Sequence, residues 1–120
     1  MQPLNQTACT VCSADSKALS PEQCKTLLAH LDGWQMLAVA GVAQLSKTYR
    51  FGDFSQALDF TNQIGRLSEE QNHHPALLTE WGKVTVNWWS HSVSGLHQND
   101  FIMAARADAT AAQATGLKPD

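Results

Sequence analysis

Two tight hairpins separated by a helix are the pattern that most restricts how this chain can fold. Residues 34–39 and 42–51 read as two strands joined across Ala40-Gly41, and residues 76–81 and 83–91 as two more that turn at Gly82. In the second run Ala43, Leu45, Tyr49 and Phe51 alternate with Gln44, Ser46, Thr48 and Arg50. That period of two marks a half-buried strand, with Lys47 the one residue out of pattern. In the last run Val84, Val86 and Trp88 share one face, while Thr85, Asn87, Trp89 and His91 share the other. Turns this short permit only antiparallel pairing.

Helical signals fill the spaces between the strands. Ser20, Pro21 and Gln23 form a start signal with a capping box, and Cys24, Leu27, Leu28 and Leu31 make one apolar stripe before Gly33. Asp53 caps a second helix, with Phe54, Ala57, Leu58, Thr61, Ile64, Gly65 and Ser68 on one face. It should end by about Asn72, because Pro75 disfavours a helical His74. A last helix starts between His97 and Asp100 and runs to about Thr115, with Phe101, Ile102, Ala105, Ala109 and Ala112 as its apolar side. The expected class is α+β, a four-stranded antiparallel sheet with three helices on one face, in the order α-β-β-α-β-β-α. The chain of 120 residues fits one domain, residues 20–120, preceded by an irregular arm, residues 1–19. A sheet covered on one side leaves large residues such as Trp89 on the other, which favours self-association.

Charge and cysteine usage narrow the function classes. Formal net charge is −3 and no Lys/Arg cluster occurs, which argues against nucleic acid as the partner. No run reaches the roughly 18 apolar residues of a membrane span. The N-terminus lacks a basic start followed by an apolar block, so the cytoplasm is the expected compartment. Cys9 and Cys12 supply only two ligands of the four a structural zinc takes, and Cys24 belongs to a helix stripe, so no metal is expected on the arm.

The chemistry points to histidine. Of His30, His73, His74, His91 and His97, three stand at element boundaries: His73 and His74 leave the second helix, and His91 ends the last strand. Adjacent extended residues point to opposite sides, so His73 and His74 should perform different tasks. Imidazole suits proton transfer near neutral pH. His30 and His97 read as surface residues. Asp100 stands three residues after His97, the capping-box position, so helix capping accounts for it as well as a role beside a histidine does.

In order, the chain carries Glu69, three residues, His73-His74-Pro75, five residues, Trp81, nine residues, His91, eight residues and Asp100. This constellation resembles the signature of the pterin-4a-carbinolamine dehydratases. The likeness extends over residues 20 to about 112 and includes Gly82-Lys83-Val84, Ser90-His91 and Gly95-Leu96. Within the family it is similar to bacterial members that accompany a phenylalanine hydroxylase. His97 departs from it, since many members carry Thr or Ser there as helix cap.

The resemblance implies the same α+β fold assembled as homodimers or homotetramers. It implies dehydration of a 4a-hydroxytetrahydropterin to quinonoid dihydropterin with no metal and no organic cofactor. On this reading His73 and His91 are the acid–base pair and His74 orients the pterin. Glu69 either orients His73 or binds the amino-pyrimidine edge of the pterin. Asp100 orients His91, and Trp81, or Trp88 or Trp89, offers an aromatic wall. Two rival readings are a metal site built from His73, His91 and a carboxylate, and a non-catalytic dimerisation module. Because Cys9 and Cys12 precede the matched region, Cys9→Ser with Cys12→Ser is expected to leave dehydratase turnover unchanged. A large loss in a stopped-flow assay would show that the arm takes part.

Overall fold

Both hairpins form in a computed structural model that describes residues 18–91 and 93–118. Strands β1 (Gln35–Val39) and β2 (Val42–Arg50) pair antiparallel, with Val39 opposite Val42. Their two-residue turn has positive φ at both Ala40 and Gly41, the conformation that matches the twist of hairpin strands. Strands β3 (Ala76–Glu80) and β4 (Lys83–Trp88) pair across a turn where Gly82 takes φ 75°. A Cβ there would stand 3.2 Å from the Phe51 carbonyl oxygen, and the Gly82 carbonyl accepts the Phe51 N–H at 2.8 Å. That bond ties the second turn to the end of β2. The sheet order is β1-β2-β4-β3, all antiparallel.

Three helices complete the expected order: α1 (Pro21–Leu28), α2 (Phe54–Gln71) and α3 (Gln98–Ala112). The capping box of α1 is present: the Ser20 hydroxyl accepts from Gln23 N and Gln23 Oε1 accepts from Ser20 N. Asp53 Oδ1 accepts from Gln56 N at the start of α2. The core gathers Leu45, Tyr49, Val84, Val86 and Trp88 from the sheet, Phe60 and Ile64 from α2, and Phe101 and Ala104 from α3. Cys24 of α1 joins the same cluster, with Leu27, Leu28 and Leu31 packed against it. Among the described residues no helix is long and apolar enough to cross a membrane. Residues 1–17 of the expected arm, with Cys9 and Cys12, lie outside the described residues.

Lys47 faces the helices, in register with Val86. Its Nζ donates to Asp108 Oδ1 at 2.9 Å and to the Asp32 carbonyl at 2.8 Å, and lies 5.0 Å from the Tyr49 ring centroid. The same Asp108 carboxylate accepts from the Tyr49 hydroxyl and from Trp34 Nε1. A charge on the apolar face is thus paired and hydrogen-bonded, the condition under which burial is tolerated.

Two elements end about three residues short of expectation. Strand β4 ends at Trp88 rather than His91, because the chain turns back and Ser90 pairs with Gly95 in an isolated bridge. Helix α3 ends at Ala112, short of Thr115. Its buried side is Ala104, Ala107 and Ala111 with Phe101, Ile102 and Met103, while Ala109 and Ala112 are exposed. Alanine stands on every side of this helix, so periodicity cannot choose its rotation. The buried Phe101, Ile102 and Met103 constrain it together with the carboxylates of Asp100 and Asp108, which find partners in the body of the fold.

The sheet face away from the helices carries a polar ladder. Ser46 Oγ donates to Asn87 Oδ1 at 2.7 Å, Asn87 Nδ2 donates to Gln44 Oε1 at 3.0 Å, and the Thr48 and Thr85 hydroxyls share a bond of 2.9 Å. Leu37, Val39 and Leu78 lie exposed on the same face.

Since Asp108 collects donors from β2 and from the segment before β1, Asp108→Ala should cost about 2–3 kcal/mol by orphaning them. The midpoint of a urea unfolding curve reads this directly, and an unmoved midpoint would mean the cluster adds nothing to stability.

Candidate functional site

Helix α2 is stopped by its own last turn. Asn72 adopts the left-handed conformation with φ 51°, and the His73 N–H reaches back to the Ser68 carbonyl at 3.1 Å. The Asn72 N–H donates to the Glu69 carbonyl at 3.3 Å, and both bonds use carbonyls that a helix end leaves unpaired. Pro75 then keeps the chain extended. His73 and His74 therefore turn to opposite sides: His73 is 8% exposed, while His74 faces solvent.

The inward residue meets Asp100. His73 Nε2 lies 2.6 Å from Asp100 Oδ1, and the carboxylate has no exposed surface. Its other oxygen, Oδ2, accepts from Ser90 Oγ at 2.8 Å and from the His97 N–H at 2.8 Å. Three donors thus surround a carboxylate cut off from water, which is what a buried acid needs. An ionised carboxylate only accepts, so a hydrogen bond between it and His73 Nε2 is one that the ring donates. Nδ1 is the ring nitrogen outside this bond. The imidazole lies almost parallel to the Trp88 indole, with centroids 5.9 Å apart and planes at 15°.

The outward residues form a second group. His74 Nε2 lies 3.2 Å from Glu69 Oε2, both exposed. Glu69 also rims an open groove of about 580 Å³ lined by Thr61, Gly65, Arg66 and Leu77, within the size range of small-molecule sites. His91 is exposed in the turn after β4, and its ring packs against Trp89 at a centroid distance of 4.7 Å. The end of β4 and the start of β3 are neighbours, since Asn87 pairs with Ala76. The segment 73–75 and the segment 88–91 therefore leave the same end of the sheet.

Three expected relations change. Glu69 meets His74 rather than His73, because Asn72 breaks the helix and His73 is not one turn along from Glu69. Asp100 meets His73 rather than His91. Trp81 is not brought to the histidines: it sits 72% exposed in the β3–β4 turn, at the far end of β3. Five strand residues separate it from Pro75, roughly 16 Å of chain at a strand's rise. Among the described residues no group of three or more His, Cys, Asp or Glu stands close enough to hold a metal ion, so His73, His91 and a carboxylate do not converge into one.

His97 does more than sit on the surface. Half-buried, it caps α3 with Nδ1, which accepts the Asn99 N–H at 3.1 Å, while Asp100 bonds back to the His97 N–H. The imidazole thus takes the place of the Thr or Ser oxygen. The bond of Ser90 to Asp100 and the stacking of Trp88 on His73 escape sequence reading, since alternation along the run says nothing of partners from other elements. Burial first, and the Asp100 carboxylate second, hold the Cys24 thiol above its usual pKa. It stays protonated and packs as a small apolar residue beside the pair.

Residues 17–110 match the family model described as pterin 4 alpha carbinolamine dehydratase. A Vibrio cholerae serotype O1 protein named for pterin-4-alpha-carbinolamine dehydratase is 54% identical over 106 residues, 88% of this chain and 97% of the relative. A Vibrio vulnificus protein of the same name is 50% identical over 105 residues, 88% of this chain and 96% of the relative. Among solved structures, a Brucella melitensis transcriptional coactivator/pterin dehydratase aligns with TM-score 0.71 and 31% identity, covering 78% of this chain and 98% of that one. A pterin dehydratase-like protein identified as a RuBisCO assembly factor in the alpha-carboxysome aligns with TM-score 0.56 and 25% identity, covering 65% of this chain and 88% of that one.

Helix capping by an imidazole can be weighed on its own. His97→Ala should cost about 0.5–2 kcal/mol, and His97→Ser should stay close to the parent protein, as a hydroxyl restores the acceptor. Thermal unfolding of the two variants checks this, and equal losses in both would refute the capping role.

Proposed function

The chain belongs to the pterin-4a-carbinolamine dehydratase family and is a dehydratase, a carbon–oxygen lyase; from that premise we propose that histidines 73, 74 and 91 carry the reaction on a 4a-hydroxytetrahydropterin. The observation that supports this reading best is the buried His73–Asp100 pair, 2.6 Å apart. A carboxylate fixed on one ring nitrogen sets the tautomer and leaves the other nitrogen to exchange a proton, the logic of Asp–His pairs in hydrolases.

The reaction balances with two proton transfers. A base takes the proton from N5 of the pterin, the N5 electron pair forms the C4a=N5 double bond, and the C4a–O bond breaks. An acid delivers a proton to the departing hydroxyl, which leaves as water. The products are quinonoid dihydropterin and water. His73 and His91 are the acid–base pair in this reading, with Nδ1 as the working atom of His73. Two imidazoles near neutral pH hold both protonation states, and positioned acid–base groups give about 10²–10⁴-fold each.

His74 and Glu69 bind and orient the pterin from the outer side. Their 3.2 Å contact keeps the carboxylate beside the ring, and a carboxylate suits the amino-pyrimidine edge. Trp89, packed on His91, supplies the aromatic surface for the flat substrate in place of Trp81. An aromatic amino-acid hydroxylase, such as one acting on phenylalanine, is the reaction class that supplies a 4a-hydroxytetrahydropterin. We also place the protein in a homodimer or homotetramer, in line with the exposed Leu37, Val39 and Leu78 on the open sheet face.

Stopped-flow kinetics with freshly made 4a-hydroxytetrahydropterin test the assignment. His91→Ala should lower kcat by about 10²-fold or more. His73→Gln should do the same while keeping an N–H for Asp100, so that folding survives. Parental rates in both variants would remove the two histidines from the chemistry.

A further inference from the structure

Ser90 bonds the carboxylate that meets His73 and directly precedes His91 in the chain. It is 1% exposed, and its hydroxyl donates to Asp100 Oδ2 at 2.8 Å. Its backbone does a separate task. Ser90 N donates to the Gly95 carbonyl at 2.8 Å, and the Ser90 carbonyl accepts from Val93 N at 3.3 Å and Gly95 N at 3.4 Å. Those bonds close the turn that presents His91, the next residue in the chain.

The carboxylate of Asp100 has one internal rotation that matters, about the bond to its terminal group, and that torsion is intrinsically soft. Two donors from different elements stiffen it. The His97 N–H comes from the first turn of α3, and the Ser90 hydroxyl from the chain leaving β4. Both bind Oδ2, so Oδ1 is left aimed at His73 Nε2. A buried hydroxyl is also costly to leave unpaired, so the contact holds itself in place. We propose that Ser90 is a positioning residue of the dehydratase reaction: its hydroxyl fixes the Asp100 carboxylate that holds the His73 ring, and its backbone fixes the turn that carries His91.

The kinetic part of this inference rests on the reading of His73 as a proton-transfer group. Ser90→Ala removes the hydroxyl and leaves every backbone bond in place, and Ser90→Thr restores an oxygen at the same atom. Two measurements are made on the full chain. Stopped-flow kinetics give kcat and KM, and proton NMR follows the downfield ring N–H of His73, recognised by its loss in His73→Gln. Ser90→Ala should lower kcat about tenfold with KM within about twofold, the lower end of what losing an outer partner costs at a comparable centre. The His73 resonance should move or broaden, and Ser90→Thr should bring both readouts back toward the parent.

A parental kcat in Ser90→Ala overturns the proposal, whether or not the resonance moves. So does a fall in kcat that leaves the resonance in place or that Ser90→Thr does not reverse, since that is a general packing defect. If His73→Gln turns over at the parental rate, the catalytic reading of His73 fails instead. The resonance in Ser90→Ala then still reports whether Ser90 holds the pair.

Discussion

A carboxylate shut away from water organises one end of this molecule. Asp100 has no exposed surface, and its oxygens are met by His73, Ser90 and the His97 backbone. Leaving such a group without donors would cost several kcal/mol, so the three elements that supply them are held in a fixed relation. Helix α2 ends where His73 must turn inward, the chain leaving β4 doubles back where Ser90 must face α3, and α3 begins with an imidazole cap that places Asp100 in its first turn. The same bonds that stabilise the junction hold an imidazole against a carboxylate.

The other end of α3 repeats this arrangement without histidine. Asp108 draws Lys47, Tyr49 and Trp34 together on the helix side of the sheet. Two acids on an alanine-rich helix thereby add to what the buried Phe101, Ile102 and Met103 contribute to its rotation over the sheet. Helix α3 carries weak apolar patterning, and a helix of that kind needs polar register marks to settle into one position. The accuracy of the His73–Asp100 contact therefore depends on the packing of the whole helix, not only on the residues that touch.

Much of the architecture is legible locally. The Ala40-Gly41 and Gly82 turns, the Ser20 box, the Asp53 cap and the break ahead of Pro75 depend on residues within a few positions of each other, and the structure contains all of them. Alternation in β4 correctly sends Val84, Val86 and Trp88 to the core. Lys47 is visible as a break in the pattern, but its partner Asp108 stands 61 positions away and cannot be read from β2. The apolar side of α3 is read correctly at Phe101 and Ile102 but misplaced at Ala109 and Ala112, because alanine fits both a buried and an exposed position.

By itself the sequence determined which segments become helix and strand, that His73 and His74 diverge, and which family the spaced residues belong to. Those outcomes follow from backbone preferences and from short-range spacing. Only the tertiary structure decided that Asp100 serves His73, that Glu69 serves His74, that Ser90 joins the pair, and that Trp81 stands apart at the far turn. Partner choice is a matter of how whole elements are rotated and stacked. That depends on burial and packing summed over many residues, and no interval along the chain records it.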